Sequence, residues 1–285
     1  MITRGYCDTA LGQLHYRRSG GGGDPLLLLP HSGRSAQMFA RLMSALSGSF
    51  DVIAVDLPGS GQSPPLAAGT SFEEIADAIA QMCGCLAVSR YHVYGIHTGN
   101  KIGAWLAHTG DAQSLVLAGQ THSLVADQEA RNALIRTVAS HALRADRDRT
   151  ATLREWVEAL RYVQNAGLDA RALTDILESE TYAPQRDEVV DHLLAWEARS
   201  DLYDANFRFD LGACLDALSV PTLVLEIATP AEDREIGRQS PLLLDRMQDA
   251  RAVVLHEPDG IGFTMEHRAD EIAGIVRDFV ASLST

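Results

Sequence analysis

The sequence predicts an α/β chain, a mostly parallel sheet flanked by helices with an inserted helical segment. Three observations predict it. Short uninterrupted apolar runs such as "LLLLP" and "FDVIAV" have the composition of strands buried on both faces. Segments of helical periodicity separate those runs. Between Thr121 and Leu218 the strand signal vanishes for roughly a hundred residues and helical spacing takes over.

In chain order, "GQLHYRR" alternates like an exposed strand and is cut by "SGGGGDP" before the buried run "LLLLP". "FDVIAVDLPGSG" repeats the buried pattern. "SFEEIADAIAQMCGCLAV" is a helix with a serine cap and an acidic first turn, followed by the strand "YHVYGI", the helix "NKIGAWLAHTG" and the strand "AQSLVLAG". After the insertion come the strands "VPTLVLEI" and "ARAVVLHEP", then "ADEIAGIVRDFVASL" as a closing amphipathic helix. In the insertion, "ADQEARNALIRTVASHAL", "RTATLREWVEALRYVQNAG", "DARALTDILESETY" and "QRDEVVDHLLAWEARSDLY" all carry apolar residues at helical spacing. This predicts a core domain of 1–121 and 219–285 with a helical cap over 122–218. Aromatic residues of the cap, among them Trp156, Tyr162 and Trp196, are expected to pack.

A chain of 285 residues can bury about three quarters of its unfolded surface, so it needs no disulfide or metal staple. The net charge of −14, from 24 Lys and Arg against 38 Asp and Glu, argues against nucleic acid or an anionic membrane as partner. The first residues lack a cationic start followed by an apolar run, and no stretch of about 18 uncharged apolar residues occurs, so a cytoplasmic location is expected. Cys7, Cys83, Cys85 and Cys214 lack the spacing of a zinc site and read as reduced thiols. The ten histidines show no H-E-x-x-H or H-x-H, and "MEH" at 265–267 reads as the surface start of a helix, so no metal is expected. "SGGGGDP" precedes a strand rather than joining strand to helix, so it is not a phosphate cradle, and no cofactor is expected.

Two motifs carry the chemistry. "DLPGSGQS", Asp56 to Ser63, fits D-x-x-G-x-G-x-S, and "GIHTG", Gly95 to Gly99, fits the G-x-Nuc-x-G turn about forty residues later. With the loop "PHSG", the helical insertion and the closing helix, this order resembles the α/β-hydrolase superfamily over nearly the whole chain. The resemblance implies the α/β-hydrolase fold with a cap, and a sharp strand-to-helix turn that presents residue 97.

That residue is His97, where the family usually has serine. By the same resemblance the catalytic histidine would stand at Gly262, or at Ile261 in the neighbouring register, and the acid near Pro230, with Glu232 or Asp233 reached only through an insertion. The usual relay is therefore absent. Imidazole is itself a base and a modest nucleophile, and a helix beginning at Thr98 disfavours its charged form, so a neutral His97 could do acid–base or nucleophilic work. The family's oxyanion donors map to the amides of Thr98 and of Ser32 or Gly33.

Other residues are expected near this position. His31 is expected close to His97, either as a structural histidine that only bonds backbone or as a pocket residue. Arg34 either clamps a substrate carboxylate or pairs with an acidic cap residue. His122 and Glu226 end sheet strands, where ligands bind in open α/β sheets, and either could orient His97. Lys101, one helical turn past His97, reads as solvated or helix-pairing. Two function classes follow. One is an enzyme acting on a small carbonyl compound (ester, lactone, diketone or similar), with His97 as general base or nucleophile. The other is a catalytically silent relative that binds a small ligand or a protein. The apolar helices of the insertion could also pair two copies as a homodimer.

Overall fold

The structure is a computed structural model, and it describes residues 1–119, 187, 190–191, 194–195, 198–235, 237–258 and 264–284. His122, the residues 261–262, the side chain of Glu232 and most of the predicted cap helices lie outside the described residues.

The described strands form one sheet in the order β1-β2-β4-β3-β5-β6-β7-β8. β1 (Thr3–Thr9) and β2 (Gly12–Ser19) are an antiparallel hairpin, and β2 pairs antiparallel with β4 (Asp51–Val55). β3 (Pro25–Leu29), β4, β5 (Tyr91–Ile96), β6 (Ala112–Ala118), β7 (Thr222–Ala228) and β8 (Ala250–His256) run parallel. The expected mostly parallel sheet is thus present. β1 escaped sequence reading because "TRGYCDT" buries only Cys7, which is too little apolar alternation to announce a strand.

Strand pleating divides the core into two layers. Leu27, Leu29, Ile53, Val55, Val93, Leu115 and Leu117 face one side of the sheet, with buried residues of α2 (Phe72–Cys85) and α3 (Thr98–Thr109) in the same cluster. Their sequence neighbours Leu26, Leu28, Val52, Ala54, Tyr94, Ile96 and Val116 face the other, with α1 (Ala40–Leu46) and the closing helix (Ala269–Ala281). Both faces are covered, which is why these strands read as continuous apolar runs. α2 starts where its sequence says: Ser71 accepts from the Glu74 amide, and the Glu74 carboxylate accepts from the Ser71 amide.

β6 and β7 are sheet neighbours although Ala118 and Thr222 are far apart in sequence. Between them the described residues include α4 (Arg199–Arg208) and α5 (Leu211–Asp216). Lys101, read as solvated or helix-pairing, is buried and pairs helices: it donates from Nζ to the carbonyl of Asn206 in α4 at 2.7 Å. A cation one turn beyond residue 97 is tied to the returning insertion, which periodicity alone could not reveal. Among the described residues no helix is long and apolar enough to cross a membrane.

The four cysteines are free. Burial pushes the thiols of Cys83, in α2, and Cys214, in α5, up to about 12 from 9.0. The folded state keeps these protons where the unfolded chain gives them up, so this contribution is intact below pH 9 and declines as pH rises toward 12. At about pH 10.5 each thiol is expected to have cost roughly 2 kcal/mol. Thermal melts across the alkaline range should show the loss, and the Cys83→Ala, Cys214→Ala double variant should lose less than the wild type over the same interval.

Candidate active site

β5 ends at Ile96, α3 begins at Thr98, and His97 alone makes the turn with φ 49° and ψ −104°. A non-glycine residue in this conformation is strained, so the surroundings must hold it there. A Cβ on Gly95 would strike the Gly99 carbonyl, and one on Gly99 would strike the Leu29 carbonyl, so the two glycines of "GIHTG" let β5, α3 and β3 close up. Asn100 clamps the turn to β6: its Nδ2 donates to the Ala118 carbonyl at 2.9 Å and its Oδ1 accepts from the Ala118 amide at 3.0 Å. The His97 amide also points at the Ala118 carbonyl, at 3.4 Å. Nothing in the sequence singled out Asn100, because an Asn early in a helix has several readings.

The His97 side chain is exposed. It stands over Gly119 (φ +73°), where an added Cβ would lie 3.1 Å from His97 Nε2. On the other side is His31, its ring at right angles to that of His97 with centroids 5.6 Å apart. His31 Nδ1 lies 3.0 Å from the Ser32 carbonyl, so Nδ1 carries a hydrogen and donates it. His31 thus bonds backbone and lies beside His97, as expected.

Ser32 and Thr98 lock the two loops together. The Ser32 amide donates to Thr98 Oγ1 at 3.2 Å and the two hydroxyls meet at 2.7 Å, all buried. The Ser32 amide is thereby engaged by a side chain. The amide of its neighbour Gly33 and that of Thr98, the first residue of α3, have no acceptor among the described residues.

Arg34 is buried between two carboxylates: Nε donates to Asp191 at 3.1 Å and Nη2 to Glu266 at 3.1 Å. Asp191 also accepts from the Ser35 amide at 3.0 Å, and Asp187 accepts from Gln37 at 3.1 Å. Arg34 is thus found paired with acidic residues, one of them, Asp191, from the segment expected to form a cap. Glu266 corrects the surface reading of "MEH": it is buried, and that burial outweighs Arg34 and raises its carboxyl above the ordinary range. Asp191 could not be found from sequence, since it meets Arg34 across 157 positions.

Glu226 and Asp233 bond elsewhere. Both oxygens of buried Glu226 accept backbone amides, Gln239 at 2.7 Å and Ser240 at 3.2 Å, where they cap the short helix Ser240–Leu244. Asp233 pairs with Arg238 at 3.0 Å. The carboxylate of Glu226, expected as a group that could orient His97, is thus engaged by backbone amides. No group of three or more metal-binding side chains occurs among the described residues.

The second motif folds on itself. Asp56 Oδ1 accepts from the Ala36 amide at 2.7 Å, and Oδ2 accepts from the Gln62 amide at 2.8 Å and from His15 Nδ1 at 2.8 Å. Ser63 donates to the Asp56 carbonyl at 2.7 Å and accepts from the His15 amide at 2.9 Å. "DLPGSGQS" is thus a brace that ties β2, β4 and the chain just after the His31 loop together.

With its sheet order and strand-to-helix turn, the chain belongs to the alpha/beta hydrolase fold family, whose family model matches residues 21–228. Over 95 residues it is 32% identical to the dihydrolipoyllysine-residue acetyltransferase component of the acetoin cleaving system of Cupriavidus necator, covering 33% of this chain and only 25% of that protein. Over 257 residues it is 27% identical to a pimeloyl-[acyl-carrier protein] methyl ester esterase of Neisseria meningitidis, covering 87% of this chain and 74% of that protein. A solved hydrolase from Pseudomonas aeruginosa PA01 has the same fold, with a TM-score of 0.73 at 21% identity over 98% of both chains.

Proposed function

We propose that this chain is an enzyme acting on a small uncharged carbonyl compound, an ester, lactone, diketone or similar, without a serine nucleophile. His97 is the general base or nucleophile, and the Gly33 and Thr98 amides hold the carbonyl oxygen. The observation that carries the reading is the strained backbone at His97, which costs about 1–3 kcal/mol and displays an imidazole at the strand-to-helix turn. The N-terminus of α3 favours neutral imidazole, the form that can take a proton. Engagement of the Ser32 amide by Thr98 leaves Gly33 as the donor from the first loop. Arg34 already balances two carboxylates, which fits a substrate without one. The insertion is the cap of this site, a role supported by the bonds of Asp187 and Asp191 to the loop after His31.

The test is a panel of esters, lactones, β-diketones and enolisable ketones assayed with wild type and His97→Ala. At least one compound should turn over, and the variant should lose about a hundredfold or more. Full activity in the variant overturns the reading. No turnover at all also overturns it, in favour of a catalytically silent binder.

A further inference from the structure

The pairing of His31 with His97 has no counterpart in the relay that this chain lacks, since His31 stands on the loop after β3 and not after β8. The two imidazoles meet edge to face at 5.6 Å. Their separation is fixed, because the Ser32–Thr98 hydrogen bonds join the residue after His31 to the residue after His97. The environments of the two rings differ in a useful direction. The N-terminus of α3 works against a positive charge on His97. The Ser32 carbonyl, accepting from His31 Nδ1, supports a positive charge on His31 and fixes its tautomer, so that Nε2 is the ring atom that takes a further proton.

Resting on the reading of His97 as the acid–base group, we propose that His31 is the proton acceptor of His97, and that the substrate is a carbon acid, an enolisable carbonyl compound, rather than an acyl donor. His97 removes a proton from the carbon beside the carbonyl. The C–H electron pair becomes the C=C bond, and the carbonyl π pair moves to oxygen, where the Gly33 and Thr98 amides hold the enolate. His97 passes a proton to His31 Nε2 and returns to its neutral form. Reversal delivers a proton to the same carbon or to another carbon of the enolate. No oxidant, reductant or covalent intermediate is required, and protons and electrons balance at each step. His31 acts through His97, as the second station of the proton, and does not touch the substrate in this scheme.

The experiment is proton–deuterium exchange at the α-carbon of cyclohexanone, hydroxyacetone and dihydrocoumarin in D2O, followed by NMR against a buffer blank. Wild type should accelerate exchange of at least one probe. His31→Gln, which keeps a donor for the Ser32 carbonyl but carries no titrating proton, should lower kcat for exchange about a hundredfold with little change in KM. Free imidazole added to His31→Gly should restore exchange, which a merely structural role would not allow. Absence of exchange with all three probes, unchanged kcat in His31→Gln, or failure of rescue with unaltered melting overturns the inference. If His97-dependent turnover persists on esters without α-proton exchange, this inference fails while the reading of His97 survives; activity independent of His97 removes both.

Discussion

The His97→Gly variant is expected to melt above both wild type and His97→Ala, and to lose turnover about a thousandfold. His97 holds φ 49° and ψ −104°, a conformation that penalises any Cβ. Glycine removes a strain of about 1–3 kcal/mol and gives back about 0.5–1 kcal/mol in unfolded-state entropy, so a net gain near 1 kcal/mol remains. Alanine keeps the strain and loses the ring, so it isolates the side chain. Melting curves of the three proteins check the order, and kcat/KM on the best panel substrate checks the loss. A glycine variant that melts below the alanine variant would sink the argument that the turn is strained.

Asp56→Ala is expected to cost about 3–5 kcal/mol, the largest single loss of stability in the core. The carboxylate accepts from the Ala36 and Gln62 amides and from His15, and Asp56 and His15 are both buried. The bonds from the Ala36 amide and from His15 are buried, so alanine would strand those two donors away from water. At this chain length the corresponding fall in melting temperature is about 10 °C. Asp56→Asn, which keeps an acceptor oxygen, should fall less. Because Ala36 lies just beyond the His31 loop, activity should fall faster than secondary structure as Asp56→Ala is warmed. Circular dichroism and turnover measured on the same samples would separate the two.

The parallel sheet was readable because burial on both faces writes itself as an uninterrupted apolar run. The edge strand β1 was not, since only Cys7 of its residues needs to be apolar. "GIHTG" and "DLPGSGQS" were readable for a related reason: each is a local piece of backbone geometry whose glycines and caps sit within a few residues of one another. The partners of those motifs were out of reach. Asp191 beside Arg34, Asn206 against Lys101 and Glu226 under the helix Ser240–Leu244 are set by tertiary contact, which one-dimensional periodicity does not encode. Glu226 lies near the end of a strand and was expected to be able to orient His97, yet the amides of a passing helix claim it.

Gly95, Gly99, Asn100 and the backbone of Ala118 all help to hold the turn at residue 97. The scaffold is in that respect a socket. Cysteine, aspartate or serine introduced at 97 would be displayed on the same backbone, so the position is a ready point for exchanging one reactive group for another.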